Sequence, residues 1–153
     1  MAVKKQEDMQ MRKTGLEECE AVVLQAMEAV QEEDEEKFAQ VLYPVPSGEW
    51  LAQTGEIGMP GAAQMKKVLS EIDSYGFALP YVVESITEAE DYEGRAWYEA
   101  KEFSELQAAD AAVYWSTSRG RSTCHAWPVS FQCIYIEDRW YLNPYWVWEY
   151  IKS

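Results

Sequence analysis

The residues best suited to chemistry lie in the C-terminal third of the sequence. His125 is the only histidine, and it directly follows Cys124. An unperturbed imidazole titrates at about pH 6.5, so it can act as a general base at neutral pH. No carboxylate partner for His125 can be identified in the sequence, and a structural or strand-end histidine fits the same pattern. If the protein is an enzyme, His125 is therefore the predicted catalytic base.

The cysteines do not predict a metal site. On a strand, Cys124 and His125 point to opposite faces, and the zinc-ligand spacings C-x-x-C and H-x-x-x-H do not occur. The odd number of cysteines does not fit a disulfide framework, so Cys19 and Cys133 are predicted as buried thiols. Glycine-rich phosphate loops and nucleophile elbows are absent from the sequence. We therefore predict no metal and no cofactor.

Acidic residues give the chain a formal net charge of −14. Between residues 84 and 110 they strongly outnumber the basic residues. This charge repels phosphate backbones and anionic lipids, so neither nucleic acid nor a membrane is a predicted partner. A basic protein would be attracted instead. An acidic immunity or inhibitor protein is thus one alternative, with Glu88, Glu90 and Asp91 as partner-binding residues. The competing interpretation is a solvated surface that favours solubility and protects a strand edge.

Aromatic residues are concentrated between residues 140 and 150. They are Trp140, Tyr141, Tyr145, Trp146, Trp148 and Tyr150. One interpretation is an edge strand or tail that packs over a sheet. The alternative is an exposed patch that serves as a dimer contact or partner site, because Trp and Tyr anchor many interfaces. The candidate partner-binding residues in that case are Tyr145, Trp146 and Trp148.

The elements that would position these residues begin with an amphipathic helix. Thr14 and Glu17 fit a capping box, in which the two side chains satisfy free backbone N–H groups at a helix start. Apolar residues then recur at three- and four-residue steps, which predicts a helix over about 15–31. Residues 1–13 show no such periodicity and are predicted to form a flexible arm.

Two further helices are predicted before residue 76. Asp34 is a suitable N-cap for a short helix, which the prolines that follow would end. Residues 44–60 are predicted as a loop, with Trp50 docked on the body of the domain. A third helix is expected over about 61–75, where apolar residues again repeat with helical spacing.

The rest of the chain is predicted to form an antiparallel sheet. The segment 94–109 is ambiguous, because its residues favour helix whereas its place after a strand and a turn favours a second strand. We take the strand interpretation for its first part. Turns are expected at 119–122 and at Glu137-Asp138. The predicted strands are 79–88, 94–103, 111–118, 124–136 and 139–142.

The last hairpin has one strongly apolar face. Side chains alternate between the two faces of a strand, which places Trp127, Val129, Phe131, Cys133, Tyr135, Trp140 and Leu142 on one side. The amphipathic helices are the available cover for that face. The fold class is therefore predicted as α+β, with N-terminal amphipathic helices packed on a curved antiparallel sheet. The candidate ligand-binding residues are Trp115, His125, Trp127, Tyr135 and Trp140.

Two segments, 21–44 and 131–144, resemble the NTF2-like, cystatin-like α+β cone superfamily. The first has a long helix, an acidic break and a second helix with an aromatic residue, Phe38. The second has a strand, a tight turn and a strand carrying Trp140. The resemblance implies a cone-shaped pocket between sheet and helices. Members that act on small molecules place an Asp, His or Tyr in it, whereas others bind, dimerise or serve as accessory domains.

The sequence departs from the enzymatic members, since an Asp–Tyr or Asp–His pair cannot be matched. We therefore expect a single domain over 14–153 that acts as a non-enzymatic module. It is predicted to bind a small ligand or a protein, and that protein can be a second copy of the same chain in a homodimer. A pocket enzyme of the isomerase, dehydratase or cyclase type, with His125 as base, is the second alternative beside the acidic inhibitor. The start of the chain is unlike a signal peptide, so a cytoplasmic location is expected.

Overall fold

The computed structural model describes the backbone of residues 2–72, 77–117 and 129–152, and the side chains of 16–70, 82–113 and 129–152. Within these residues it contains six helices and four antiparallel strands, so the predicted α+β class is confirmed. The helices are α1 (Ala2–Glu32), α2 (Glu35–Val41), α3 (Ser47–Thr54), α4 (Ala62–Ile72), α5 (Arg95–Ala100) and α6 (Pro144–Lys152). The strands are β1 (Phe77–Ala89), β2 (Leu106–Thr117), β3 (Val129–Ile136) and β4 (Arg139–Leu142).

The first helix is longer than predicted. It begins at Ala2, so the expected start near residue 15 was wrong, and Thr14 lies inside the helix instead of capping it. Residues 2–13 are rich in Lys, Gln, Glu and Met, which have high helix propensity even without an apolar stripe. The later part of α1 presents its apolar side to the core, where Cys19, Val23 and Met27 are fully buried.

The second and third predicted helices are confirmed as α2 and α4. The Asp34 side chain accepts a hydrogen bond from the Lys37 amide at 3.1 Å and so caps α2. The predicted loop over 44–60 contains a helix, α3, that the sequence analysis missed. Trp50 of α3 is buried as expected, and its indole N–H donates to the Gly58 carbonyl at 2.9 Å.

The strands form an antiparallel meander in the order β1-β2-β3-β4. The two-residue turn between β3 and β4 is confirmed, with positive φ at Glu137 (54°) and Asp138 (65°), as a type I′ turn requires. The predicted strand at 79–88 is confirmed as β1, and that at 111–118 lies largely within β2. The turn at 119–122 and the first part of the predicted strand 124–136 lie outside the described residues.

Two aromatic segments form helices where strands were favoured. The strand prediction for 94–103 was wrong, because α5 follows Gly94 and buries Trp97 and Tyr98, which are adjacent in sequence. The C-terminal aromatic segment is α6 and neither a strand nor an extended tail. Pro144 takes the first helical position, where a missing N–H has no consequence.

Both faces of β3 are buried, although a cover was predicted for one face only. Val129, Phe131 and Cys133 belong to one buried core with residues of α1, α2 and α4, and β3 contacts α1 directly. On the opposite face, Ile134 and Ile136 are also fully buried, against residues of α3, α5 and the start of α6. Among the described helices, none combines the length and the apolar character that a bilayer span requires.

Candidate functional site

The predicted ligand-binding residues are described only in part. His125 and Trp127 lie outside the described residues, and Trp115 belongs to β2 but its side chain is not described. Tyr135 and Trp140 are cross-strand partners with ring centroids 5.5 Å apart. Trp140 is buried in the helix-covered core, whereas Tyr135 is half-buried at its margin. The described part of this face is thus filled by packed side chains.

The two described cysteines, Cys19 of α1 and Cys133 of β3, are buried thiols as predicted. The hydrogen bond that links their side chains, together with burial, raises the pKa of Cys133 well above its ordinary value. A protonated, buried thiol is a poor nucleophile and a poor metal ligand. Within the described residues, no three His, Cys, Asp or Glu side chains are arranged to hold a metal ion.

The opposite face of the sheet carries an aromatic cluster. We call it the second-face cluster, and it consists of Tyr43, Val45, Trp50, Trp97, Tyr98, Ile134, Ile136 and Tyr145. Its rings are in direct contact: the centroid of Tyr145 lies 4.9 Å from that of Trp50 and 5.7 Å from that of Tyr98. Aromatic pairs at such separations add stability beyond the area they bury. The cluster fixes α3, α5 and α6 on the sheet.

A buried polar network runs beside this cluster and is centred on Asn143. The Asn143 Oδ1 atom accepts from the Tyr98 hydroxyl at 2.8 Å and from the Tyr145 amide at 3.1 Å. Its Nδ2 atom donates to Gln132 Oε1 and to the Glu93 carbonyl, both at 3.0 Å. Gln132 Oε1 also accepts from the Glu93 amide at 2.9 Å. These bonds hold the turn before α5 against β3.

The aromatic residues of α6 pack largely against their own chain. Tyr145 is 4% exposed, and Trp146 lies 5.1 Å from Phe131, centroid to centroid. Trp148 is half-buried, with the Lys152 ammonium 3.8 Å from its ring centroid. This arrangement matches the packed interpretation of the tail more closely than a continuous exposed patch.

Acidic side chains gather where β1 ends and β2 begins. Ala89 pairs with Ala108 in register, so these two points lie at the same end of the sheet. We call this surface the acidic end, and it comprises Glu88, Glu90, Asp91, Glu99, Glu102 and Glu105, all of them exposed. The three predicted acidic partner residues thus lie at the same end of the sheet as three others that the sequence analysis did not select.

Two basic residues near the acidic end, Arg95 and Lys101, are already paired. Arg95 binds Glu99 at 2.7 Å and Asp91 at 3.6 Å. Lys101 forms an ion pair with Glu49, and this interaction lowers the pKa of the Glu49 carboxyl. Glu88, Glu90, Glu102 and Glu105 have no ion-pair partner among the described residues.

An open pocket of about 230 Å³ lies at the acidic end. Its lining combines aromatic, apolar and carboxylate side chains, namely Tyr92, Tyr98, Glu99, Glu102, Phe103 and Leu106. Burial raises the pKa of Tyr92, and the neighbouring Glu99 carboxylate raises it further. The sequence analysis did not predict this pocket, because it assigned residues 94–103 to a strand. Glu102 and Phe103 follow α5, which ends at Ala100, so the strand assignment was wrong for these two residues as well.

Comparison with protein-family models, with the curated proteins and with the solved structures gave no match. The functional proposal therefore depends on the geometry of the acidic end and of the two cores. Of these, the acidic end combines exposed carboxylates that lack an ion-pair partner among the described residues with an adjoining pocket.

Proposed function

We propose that this chain is a non-enzymatic interaction module that binds a basic protein partner through the acidic end. The observation that carries the proposal is the set of exposed carboxylates without an ion-pair partner among the described residues: Glu88, Glu90, Glu102 and Glu105. A basic surface would supply the missing counter-charges. The immunity or inhibitor function considered from the sequence is one form that this activity would take.

The overall charge supports the same proposal. A net charge of −14 attracts basic proteins over long distances and repels nucleic acids and anionic lipids. Complementary charge mainly raises the association rate and selects the partner, while the close contacts determine affinity. The exposed location of the acidic end makes it accessible for such an encounter.

The packing of the domain also favours partner binding over catalysis. In the described part of the helix-covered face, Val113, Phe131 and Cys133 are fully buried and fill the space between sheet and helices. The enzyme alternative depends on His125, which is outside the described residues. It predicts that His125→Gln abolishes turnover of any substrate found. Four helices precede the antiparallel sheet, and α5 and α6 follow β1 and β4; the N-terminal helices before the sheet are the observation that supports proposed membership of the NTF2-like superfamily, which likewise includes binding modules.

A charge-matched pair of variants tests the proposal. The first variant replaces the unpaired carboxylates of the acidic end: E88Q, E90Q, E102Q and E105Q. The control replaces four exposed glutamates elsewhere: E17Q, E20Q, E36Q and E56Q. Both remove the same number of negative charges. Binding of each to poly-L-lysine is measured from low salt to high salt.

We expect the acidic-end variant to lose more affinity and more salt dependence than the control, because screening weakens exposed charge pairs. Equal losses in the two variants would mean that the chain attracts cations through its overall charge alone, which contradicts the proposal. An unmodified chain that does not bind poly-L-lysine at low salt would contradict it as well.

A further inference from the structure

We infer that the pocket at the acidic end is a cation-accepting site for the lysine or arginine side chain of a basic partner. The assignment of the side chain to a protein partner rests on the proposed function. The chemical preference for an aliphatic cation rests on the pocket itself. Aromatic residues, one leucine and two carboxylates line this one small cavity.

Tyr92 and Phe103 are the partly exposed rings of the pocket, and the buried Tyr98 supports the Tyr92 ring. Tyr98 is fully buried as a residue, its hydroxyl donates to Asn143, and its ring contacts those of Trp97 and Tyr145 at 5.2 and 5.7 Å. The ring of Tyr92 lies 5.8 Å from that of Tyr98. A cation near an aromatic face is attracted by the negative potential of the ring. Rigid rings provide this attraction without a large loss of side-chain entropy on binding.

Beside the pocket, two basic residues of the chain itself each combine an ion pair with a cation–π contact. The Arg95 guanidinium lies 5.9 Å from the Tyr92 ring centroid and binds Glu99. Lys101 is held by Glu49, with its ammonium 5.3 Å from the Trp97 ring centroid. Neither Arg95 nor Lys101 lines the cavity. Arg95 thus engages Glu99 and the Tyr92 ring from beside the pocket, and Lys101 is held by Glu49 and Trp97 outside it, so the carboxylate of Glu102 remains open to an external cation.

Glu102 is the carboxylate that remains for a ligand. Glu99 already accepts from the Arg95 Nε atom at 2.7 Å, whereas Glu102 has no ion-pair partner among the described residues. The backbone of Glu102 has a φ of 54°, and its amide donates to the Glu99 carbonyl at 3.1 Å. This left-handed residue ends the turn after α5 and is followed directly by Phe103. Carboxylate and ring are therefore adjacent on the same rim.

The pocket size selects a single side chain. Its volume of about 230 Å³ lies below the range of about 300–1,000 Å³ typical of sites for drug-sized ligands and cofactors. Leu106 and Phe103 provide apolar contacts for methylene groups, and the carboxylates lie where the charged group would remain hydrated. Lysine and arginine bury their stems against apolar surface in this way.

A titration with small cations tests the inference without a protein partner. The backbone amides are observed by NMR while n-butylguanidinium or n-butylammonium is added at 0.15 M NaCl, and n-pentanol serves as the neutral probe. We expect saturable shifts for residues 92–106 with both cations and none with the alcohol. We also expect E102Q to weaken cation binding about two- to fivefold, the range for an exposed ion pair.

E90Q is the matched control, since it removes one charge from the acidic end without altering the pocket lining. F103L removes a ring while keeping an apolar side chain, and should weaken cation binding about two- to fivefold, with folding checked by thermal unfolding.

Shifts that do not saturate, equal binding of n-pentanol, or equal effects of E102Q and E90Q would each overturn the pocket assignment. Those outcomes leave the poly-L-lysine comparison unaffected. The opposite outcome is also distinguishable. If the pocket binds the small cations but the two charge variants lose equal affinity for poly-L-lysine, only the proposal of a basic protein partner is contradicted.

Discussion

At the scale of single residues, the side chain of Asn143 links four other residues through hydrogen bonds. It is fully buried and bonds to Tyr98, Gln132, Glu93 and Tyr145. Both hydrogens of its amide nitrogen and both lone-pair sites of its carbonyl are used. A fully satisfied buried network is rigid and orders the groups around it. Asn143 thereby positions Tyr98, a wall of the cation-accepting pocket.

Replacing Asn143 by alanine should destabilise the protein strongly. The substitution leaves the Tyr98 hydroxyl and the Glu93 carbonyl without this partner, and each buried group left unsatisfied costs about 1–3 kcal/mol. We expect the free energy of unfolding in urea to fall by at least about 2 kcal/mol. The control Q53A, at an exposed position of α3, should change it by less than about 0.5 kcal/mol. A loss in N143A no greater than that of the control would show that the network contributes little.

The hydroxyl of Tyr145 gives a pH dependence. It is buried without a hydrogen-bond partner among the described residues, and burial, together with the Glu49 charge, raises the pKa of Tyr145 to about 12. In the unfolded chain a tyrosine ionises at about pH 10. The unfolded state therefore loses this proton first as pH rises, and stability falls between about pH 10 and 12.

Urea unfolding from pH 8 to pH 12 measures this effect, with Tyr145→Phe as the comparison. The variant lacks the ionisable hydroxyl, so its stability should decline less over the same interval. At pH 7 it should be at least as stable as the parent, because the removed group makes no hydrogen bond with a described residue. Identical pH profiles for the two proteins would contradict the assignment.

At the scale of elements, the local signals were reliable where one residue type has a specific backbone role. Asp34 caps α2, and the two-residue turn at Glu137 and Asp138 joins β3 to β4. The signals were unreliable in short segments rich in Trp and Tyr, which suit strands and helices alike when buried. The helices α5 and α6 are of this kind, because their assignment depends on what covers the second face of the sheet.

Gly94 is the backbone position on which α5 depends. Its φ is 75°, and a Cβ atom there would overlap the Tyr145 ring. Gly55 at the end of α3 has nearly the same φ, 77°, but open space around it. Alanine substitutions at Gly94 and Gly55 therefore separate two effects: the cost of a positive φ, which both share, and the overlap with the Tyr145 ring, which only Gly94 has.

We expect Gly94→Ala to destabilise the protein more than Gly55→Ala. Each variant incurs the left-handed backbone penalty of about 1–2 kcal/mol. Gly94→Ala adds the displacement of a buried ring, for which overpacking typically costs about 1–3 kcal/mol. Urea unfolding of the two variants measures the difference. Equal losses would indicate that Tyr145 moves away freely, and that the second-face cluster is less tightly packed than the contacts indicate.

At the scale of the whole molecule, the sheet has a core on each side. The first core lies under α1, α2 and α4 and includes Val147 of α6, whereas the second-face cluster lies under α3 and α5 and includes Tyr145 of α6. The acidic end lies outside both cores, at one end of the sheet. Its charges can therefore serve binding without disturbing the interior.

The net charge of −14 should make stability depend on salt. Repulsion among carboxylates opposes the compact state, and added salt screens it, since the Debye length falls from about 8 Å at 0.15 M to about 3 Å at 1 M. We expect the free energy of unfolding at pH 7 to increase from 0.05 to about 0.5 M NaCl. Urea unfolding at several salt concentrations provides the measurement.

The quadruple acidic-end variant is the control for this effect. It removes four negative charges from one surface, so its stability should increase less with salt than that of the parent chain. A parent chain whose stability is unchanged or reduced by NaCl would contradict the proposed repulsion. In that case the exposed carboxylates would be too far apart to interact.

The sequence by itself determined the α+β class, the positions of α2 and α4, the last hairpin and the acidic character of residues 84–110. Those features depend on local rules: helix and strand periodicity, capping residues and turn geometry act over a few residues. The acidic partner residues Glu88, Glu90 and Asp91 could be selected for the same reason, since charge density is visible in the sequence.

The tertiary structure alone decided that β3 is covered on both faces, and that the C-terminal aromatic residues form a helix. It also brought Glu99, Glu102 and Phe103 together with Tyr92 around one pocket. Propensity is weak for short segments, and burial against distant residues decides their conformation. The turn before α5 is held by Gln132 and Asn143, residues about 40 and 50 positions further along the chain, and no local pattern encodes such contacts.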